Sequence, residues 1–170
     1  MKKILTAAVL TALLLTLAAG ALATTGLGSV TSVSVTDATA EKAGSVSVST
    51  YLCAVSLDEE GRIVTVDFDA VLPAGTFDTT GAAGEYVAEP QTKNELKEGY
   101  GMKPASPIGK EWYEQMNALE DWCVGKTVAE VLATPLNEKG APTDVDLVSG
   151  CTVHITDQLK ALEKAAANAK

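Results

Sequence analysis

The sequence predicts an α+β domain, a small and mainly antiparallel sheet with helices packed on one face. Apolar residues alternate with period two through 45–57 and again through 62–71, with the turn-like Asp58-Glu59-Glu60-Gly61 between them. That is the pattern of a hairpin with a longer loop. Further on, Trp112, Met116, Leu119 and Cys123 recur at spacings of four, three and four, one apolar stripe along a helix over 110–123. A second amphipathic run begins at Thr156 and places Leu159, Leu162 and Ala166 on its inward side.

The chain opens with Lys2 and Lys3, an apolar run over 4–19 and the small-x-small triplet Ala21-Leu22-Ala23. These are the parts of a secretory signal over 1–23, with cleavage predicted after Ala23 and an extracellular or cell-surface destination. Ala21 follows Leu17-Ala18-Ala19-Gly20 where a lipoprotein signal needs cysteine, which disfavours lipid attachment. If the segment stayed uncleaved, 4–23 is about long enough to anchor the chain in a membrane, its one route to a bilayer. Removing Lys2 and Lys3 takes the formal charge from −9 to −11. Such a surface repels phosphate backbones, which argues against nucleic-acid partners.

Residues 24–44 are rich in Thr, Ser, Ala and Gly and read as a flexible N-terminal segment, with Val30, Val33 and Val35 able to form a short strand. The domain proper is expected over 45–170. Its first strand, 45–57, is apolar on both sides in its second half and belongs in the middle of a sheet. Gly61 takes positive φ in the turn without steric cost. Residues 73–90 read as a loop, with Tyr86 and Val87 as a short edge strand, and 91–98 as a helical turn or two. Gly125 stops the first long helix. Thr127 and Glu130 have the spacing of a capping box, which starts a short helix at Val128 that ends near Thr134, before Pro135. Thr156 or Asp157 is expected to cap the last helix, and 165–170 to fray.

Cys53, Cys123 and Cys151 leave at least one thiol unpaired within the chain, and each reads first as a small buried hydrophobe. Without a Cys-x-x-Cys, neither a zinc knuckle nor a dithiol redox site is supported. His154 is the one histidine, so a histidine metal cluster is excluded. A Cys151–His154 pair would need a helical turn to bring its members together. Gly125-Lys126-Thr127 echoes the end of a P-loop, but Glu120 stands where that motif has its first glycine. Asp58, Glu59 and Glu60 with Asp67 and Asp69 read as a solvated turn and strand face rather than a calcium site. No catalytic set and no metal site emerge.

The stretch that concentrates small, polar and flexible residues is Asp146-Leu147-Val148-Ser149-Gly150-Cys151-Thr152, just ahead of the last helix. Backbone N–H groups at a helix start favour an anion, and Gly150 permits close backbone approach to a ligand. Thr152 offers a hydroxyl that accepts a covalent group, and Asp146 a carboxylate to orient it or bind a cation. The plain alternative is an ordinary turn between a strand and a helix.

This stretch resembles the Asp-x-x-Ser/Thr-Gly-Ala-Thr motif of the FMN-binding domain family. Gly61-Arg62-Ile63 after the acidic turn, and an alanine-rich C-terminal helix after the motif, are similar to that family as well. Residues 92–96, 100–103 and 108–115 resemble a group of exported proteins of Gram-positive anaerobes. The resemblance covers roughly 45–170. It implies a non-enzymatic electron carrier with FMN joined through its phosphate to Thr152, and Asp146, Ser149, Gly150 and Cys151 around the cofactor. It also implies a flavin transferase for maturation and a membrane-bound reductase or another redox carrier as partner. Trp112, Tyr113, Trp122 and Tyr100 are candidates to stack on the flavin, with packing the plainer role for each. Two positions depart from the motif: Cys151 replaces alanine, and His154 replaces the usual Ser or Thr. The other reading is a cofactor-free exported binding or structural protein that keeps the family's fold.

Overall fold

The computed structural model of the protein describes residues 23–170. The signal expected over 1–23 therefore lies, apart from Ala23, outside the described residues. The fold is α+β, with one five-stranded antiparallel sheet and helices against one of its faces. Its strands are β1 (Thr24–Thr36), β2 (Gly44–Leu57), β3 (Ile63–Val71), β4 (Ala74–Phe77) and β5 (Ala83–Tyr86). Its helices are α1 (Lys93–Leu96), α2 (Trp112–Cys123), α3 (Val128–Leu132), α4 (Val145–Val148) and α5 (Thr156–Ala167). None of the described helices is long and apolar enough to cross a membrane.

The long strand β2 is central, as its two apolar faces predict. β1 pairs with it along its whole length on one side. On the other side β3 takes Thr50–Leu57 and β4 takes Gly44–Ser47, and β5 continues from β4. Tyr51, Cys53 and Val55 of β2 and Val66, Phe68 and Ala70 of β3 face the helices and are buried. Against them lie Trp112, Met116, Leu119 and Cys123 of α2, and Leu159, Ala161, Leu162 and Ala165 of α5. Each large apolar side chain in this layer contributes about 1.5–3 kcal/mol by leaving water.

Several local expectations differ from the structure. The segment expected to be a flexible tether contains a 13-residue strand, β1. Its anchor is a pair of glycines. A Cβ on Gly26 would stand 1.9 Å from the carbonyl oxygen of Ala165, and one on Gly28 would stand 2.2 Å from that of Ala161. α5 thus rests backbone to backbone on β1, which any side chain at either position would prevent. Read as composition, those glycines suggest flexibility; in the fold they let helix and sheet meet backbone to backbone. The loop expected over 73–90 holds β4, and the edge strand expected at Tyr86 and Val87 is β5, which takes in Tyr86 and stops short of Val87.

The end of the chain does not fray at Ala165 either. α5 runs to Ala167, and Lys170 and Thr25 exchange backbone hydrogen bonds of 3.4 Å in both directions. The inward residue of its last turn is Ala165 rather than Ala166. The residue at its N-cap is Ile155, which supplies no side-chain cap, so neither Thr156 nor Asp157 takes that role. Thr127 and Glu130 do form the expected capping box at α3, although that helix ends at Leu132.

Candidate functional site

The site is built around the first turn of α2. Glu111, at its N-cap, is buried, and its carboxylate accepts the N–H groups of Met102 (2.8 Å) and Lys103 (2.9 Å). One turn on, Gln115 is fully buried and uses both ends of its amide. Its Nε2 donates to Ser106 Oγ (3.1 Å) and to the carbonyl of Lys110 (3.2 Å). Its Oε1 accepts both the backbone N–H (2.8 Å) and the hydroxyl (3.2 Å) of Thr152. A single side chain on α2 therefore fixes the loop before the helix and the motif turn after α4.

The motif turn itself begins with a helix, not the strand expected before it. Asp144 caps α4 by accepting the N–H groups of Asp146 (2.9 Å) and Leu147 (3.3 Å). Gly150 and Cys151 each return an N–H to the carbonyl of Leu147 at 2.9 Å. The chain is then turned so that Leu147, Cys151 and Ile155 are buried and Thr152 is half-buried.

Each motif residue can now be placed. Thr152 is central, with its hydroxyl bonded to Gln115 rather than to Asp146. Asp146 is exposed, and the carboxylate that organises the turn belongs to Asp144. Ser149 is exposed. Gly150 is required by packing: a Cβ there would lie 2.7 Å from the Cβ of Ala118 on α2. The close approach that glycine permits is to a helix of the same chain.

Cys151 is fully buried, and burial pushes its thiol up to about 11, against the opposing effects of the Val153 N–H and the Lys110 charge. A thiol so placed is protonated at neutral pH and is no nucleophile. The Cys–His pair fails on the same ground. His154 is exposed and instead places Nε2 3.3 Å from the hydroxyl of Tyr51, the two rings edge to face. Burial raises the Tyr51 hydroxyl above the usual tyrosine range, and Asp157 and Tyr100 add to the shift.

The aromatic candidates separate as well. Trp112 is buried, and Lys93 lies 4.9 Å from its ring centre and 4.6 Å from that of Tyr100. Lys93 is itself buried, and two aromatic faces compensate its lost hydration. Tyr100 is the more open member, 37% exposed. Trp122 carries Lys126 over its ring at the other end of α2. Tyr113 donates its hydroxyl to Glu98 at 2.8 Å.

Sequence reasoning missed Gln115, Tyr51, Lys93, Lys110 and Asp144. For Asp144 a signal existed, an Asp immediately before an apolar helical turn. For Gln115 none did, since a glutamine inside an amphipathic helix reads as solvent-facing. Among the described residues no His, Cys, Asp and Glu group is arranged to hold a metal ion. Clefts of about 280 to 480 Å³ open along the β1 edge, at β4 and β5, and beside α3, and Thr152 lines none of them.

Fold and site together define an α+β domain with a glutamine-held threonine turn between its sheet-packed helices. No family model matches the chain, and no solved structure does. A 107-residue stretch is 37% identical to a curated protein named chlorophenol reductase, from Desulfitobacterium hafniense. The match covers 56% of this chain and 33% of that protein. The chain thus spans about a third of the length of the curated relative it matches.

Proposed function

We propose that this chain is an exported electron-transfer module carrying FMN as a phosphoester on Thr152. The observation that carries the reading is the Thr152 hydroxyl. It is half-buried and oriented by Gln115, in a turn that resembles the covalent FMN-attachment motif except that Cys151 stands in place of alanine. Redox chemistry of some kind is also what the relative's name denotes.

The residues present fit the group in three respects. Thr152 and the exposed Ser149 put hydroxyls at the rim of the turn. Lys110, close enough to act on the Cys151 thiol, offsets phosphate charge in a protein that is acidic overall. Tyr100 offers a partly open ring, with Lys93 against one face of it. When bound, FMN would supply the one- and two-electron chemistry that these side chains lack. The chain's own part is to orient the Thr152 hydroxyl through Gln115 before the ester forms, and afterwards to keep the turn rigid against α2 through the Thr152 N–H, which Gln115 still accepts. A covalent link removes the need for affinity, which suits a chain whose charge of −9 opposes a free phosphate. The partners in this reading are a flavin transferase, which makes the ester, and a membrane-bound reductase or a second carrier, which exchanges electrons with it.

The protein made together with such a transferase should be yellow and heavier by one FMN less one water. Thr152→Ala should abolish both the colour and the added mass. A colourless protein of unmodified mass from the same cells would sink the proposal.

A second reading has an observation of its own. Packing and hydrogen bonding already occupy the motif positions: Gly150 against Ala118, Cys151 in the core, Thr152 on Gln115. This is what a cofactor-free exported binding or structural protein of the same fold would also need. The mass measurement separates the two.

A further inference from the structure

The β4–β5 hairpin adds nothing to the core. No residue of 71–92 is buried, and 78–91 are exposed throughout. Yet this segment carries large apolar side chains: Tyr86 is 68% and Val87 63% exposed, and Leu72 is exposed as well. They line two adjoining grooves. One, of about 480 Å³, is formed by Ala74, Thr76, Glu85, Tyr86 and Val87 among others. The second, of about 360 Å³, takes in Leu72, Ala74, Val87, Glu89, Pro90 and Leu96. Ala74 and Val87 belong to both, so the two make one track from the end of the sheet to α1. Its walls are fastened. Thr76 Oγ1 accepts the N–H of Glu85 at 2.9 Å and joins β4 to β5. Asn94 Nδ2 donates to the carbonyl of Phe68 at 2.9 Å and joins α1 to β3. Apolar surface that folding leaves in water, on a hairpin outside the core, marks an interaction site rather than a structural need.

We infer that this track is a docking site for an extended, basic segment of a partner protein, one that combines large apolar side chains with lysine or arginine. The apolar requirement comes from Leu72, Tyr86 and Val87. The basic requirement comes from charge. The charged side chains lining the track are Glu85 and Glu89. Residues 63–92 hold Asp67, Asp69, Asp78, Glu85 and Glu89 and no lysine or arginine at all. Lysine and arginine suit such a track, because their stems cover apolar surface while their heads reach carboxylates at its rim. The same charge argues against the other occupants. A second copy of this chain would set Glu85 and Glu89 against their own like in a two-fold contact. An anionic lipid surface would meet the same carboxylates, on a chain whose formal charge is −9. The site stands whether or not Thr152 carries a flavin, so the protein without any cofactor is enough to test it.

The peptide Lys-Leu-Val-Lys-Leu-Val-Lys, titrated into the full-length protein, should shift the amide NMR signals of Leu72, Thr76, Glu85, Val87 and Leu96. Replacing its leucines and valines by serine, or its lysines by glutamate, should weaken binding by about tenfold or more. Glu85→Lys combined with Glu89→Lys should weaken it as much. Glu59→Lys combined with Glu60→Lys makes the same change in net charge in the exposed turn between β2 and β3. That pair lies at the far end of β2 from β4 and should leave binding within about twofold, since distant exposed charges are screened. All four positions are exposed, so the variants should keep the circular dichroism of the parent protein. No shift at millimolar peptide overturns the inference, as do shifts confined to other residues. Equal weakening by the two charge pairs overturns it too, by reducing the effect to overall charge. Shifts of the same amides with protein concentration alone, in the absence of peptide, would give the track to a second copy instead.

Discussion

Gln115 and Gln158 are both fully buried, yet their amides stand in opposite situations. Gln115 satisfies both ends, with Thr152, Ser106 and Lys110 as partners. Among the described residues Gln158 has one weak contact, from Nε2 to the sulfur of Met116 at 3.9 Å, and its Oε1 has no partner. A buried amide contributes net stability when paired, and costs its full desolvation when part of it is not. Gln115→Met should therefore lower stability by about 1–3 kcal/mol, because it strands the Thr152 N–H and the Lys110 carbonyl. Gln158→Met should be neutral or stabilising. Urea unfolding of the two variants, identical in composition, checks the contrast. Neither role is legible in the sequence. Both glutamines lie on amphipathic helices, and only the partner elements distinguish a structural hub from an orphaned group.

Among the elements, α2 is the one that ties the motif turn to the sheet. Its stripe of Trp112, Met116, Leu119 and Cys123 is readable from spacing alone, and all four residues are buried. Its flank at Ala118 is not readable in this way, because alanine carries no periodic signal. That flank receives Gly150, where an added Cβ would come to 2.7 Å. Gly150→Ala should destabilise the protein by about 1–3 kcal/mol through overpacking. Ala118→Gly in the same chain should recover most of that loss beyond its own helix-propensity cost of about 1 kcal/mol. A thermal-denaturation double-mutant cycle measures the coupling. Additive losses would mean that the turn does not rest on α2. The glycines of β1 show the same limit from the other side. Gly26 and Gly28 look like linker residues until Ala161 and Ala165 of α5 lie across them.

At the scale of the molecule, acidity and burial meet at Glu120. Its carboxylate accepts the N–H of Phe68 at 2.8 Å and so joins α2 to the edge of β3. Burial pushes its pKa from 4.5 to about 7, the N–H of Phe68 opposes the shift, and Asp67, Asp121 and Asp69 add to it. The folded state thus holds a proton that the unfolded chain has released. This contribution is fully present below about pH 4.5 and is lost as pH rises through about 7. Denaturant unfolding from pH 5 to 8 should show stability falling across that window. Glu120→Gln keeps an acceptor for Phe68 and should flatten the fall, leaving the variant the more stable at pH 8. An unchanged slope would show that another group titrates.

Patterns with a period or a local cap were determined by the sequence itself: the β2–β3 hairpin, the α2 stripe, the capping box of α3 and the α+β class. Each depends on interactions within a few residues or on one face of one element. The motif from Asp146 to Thr152 was visible too, as a set of residue types. The use made of each residue was decided only by the tertiary structure. Thr152 meets Gln115 across a separation of 37 residues, and Lys164 caps Ser29 across 135. Contacts of that kind leave no periodic trace, because each joins residues whose local patterns are unrelated.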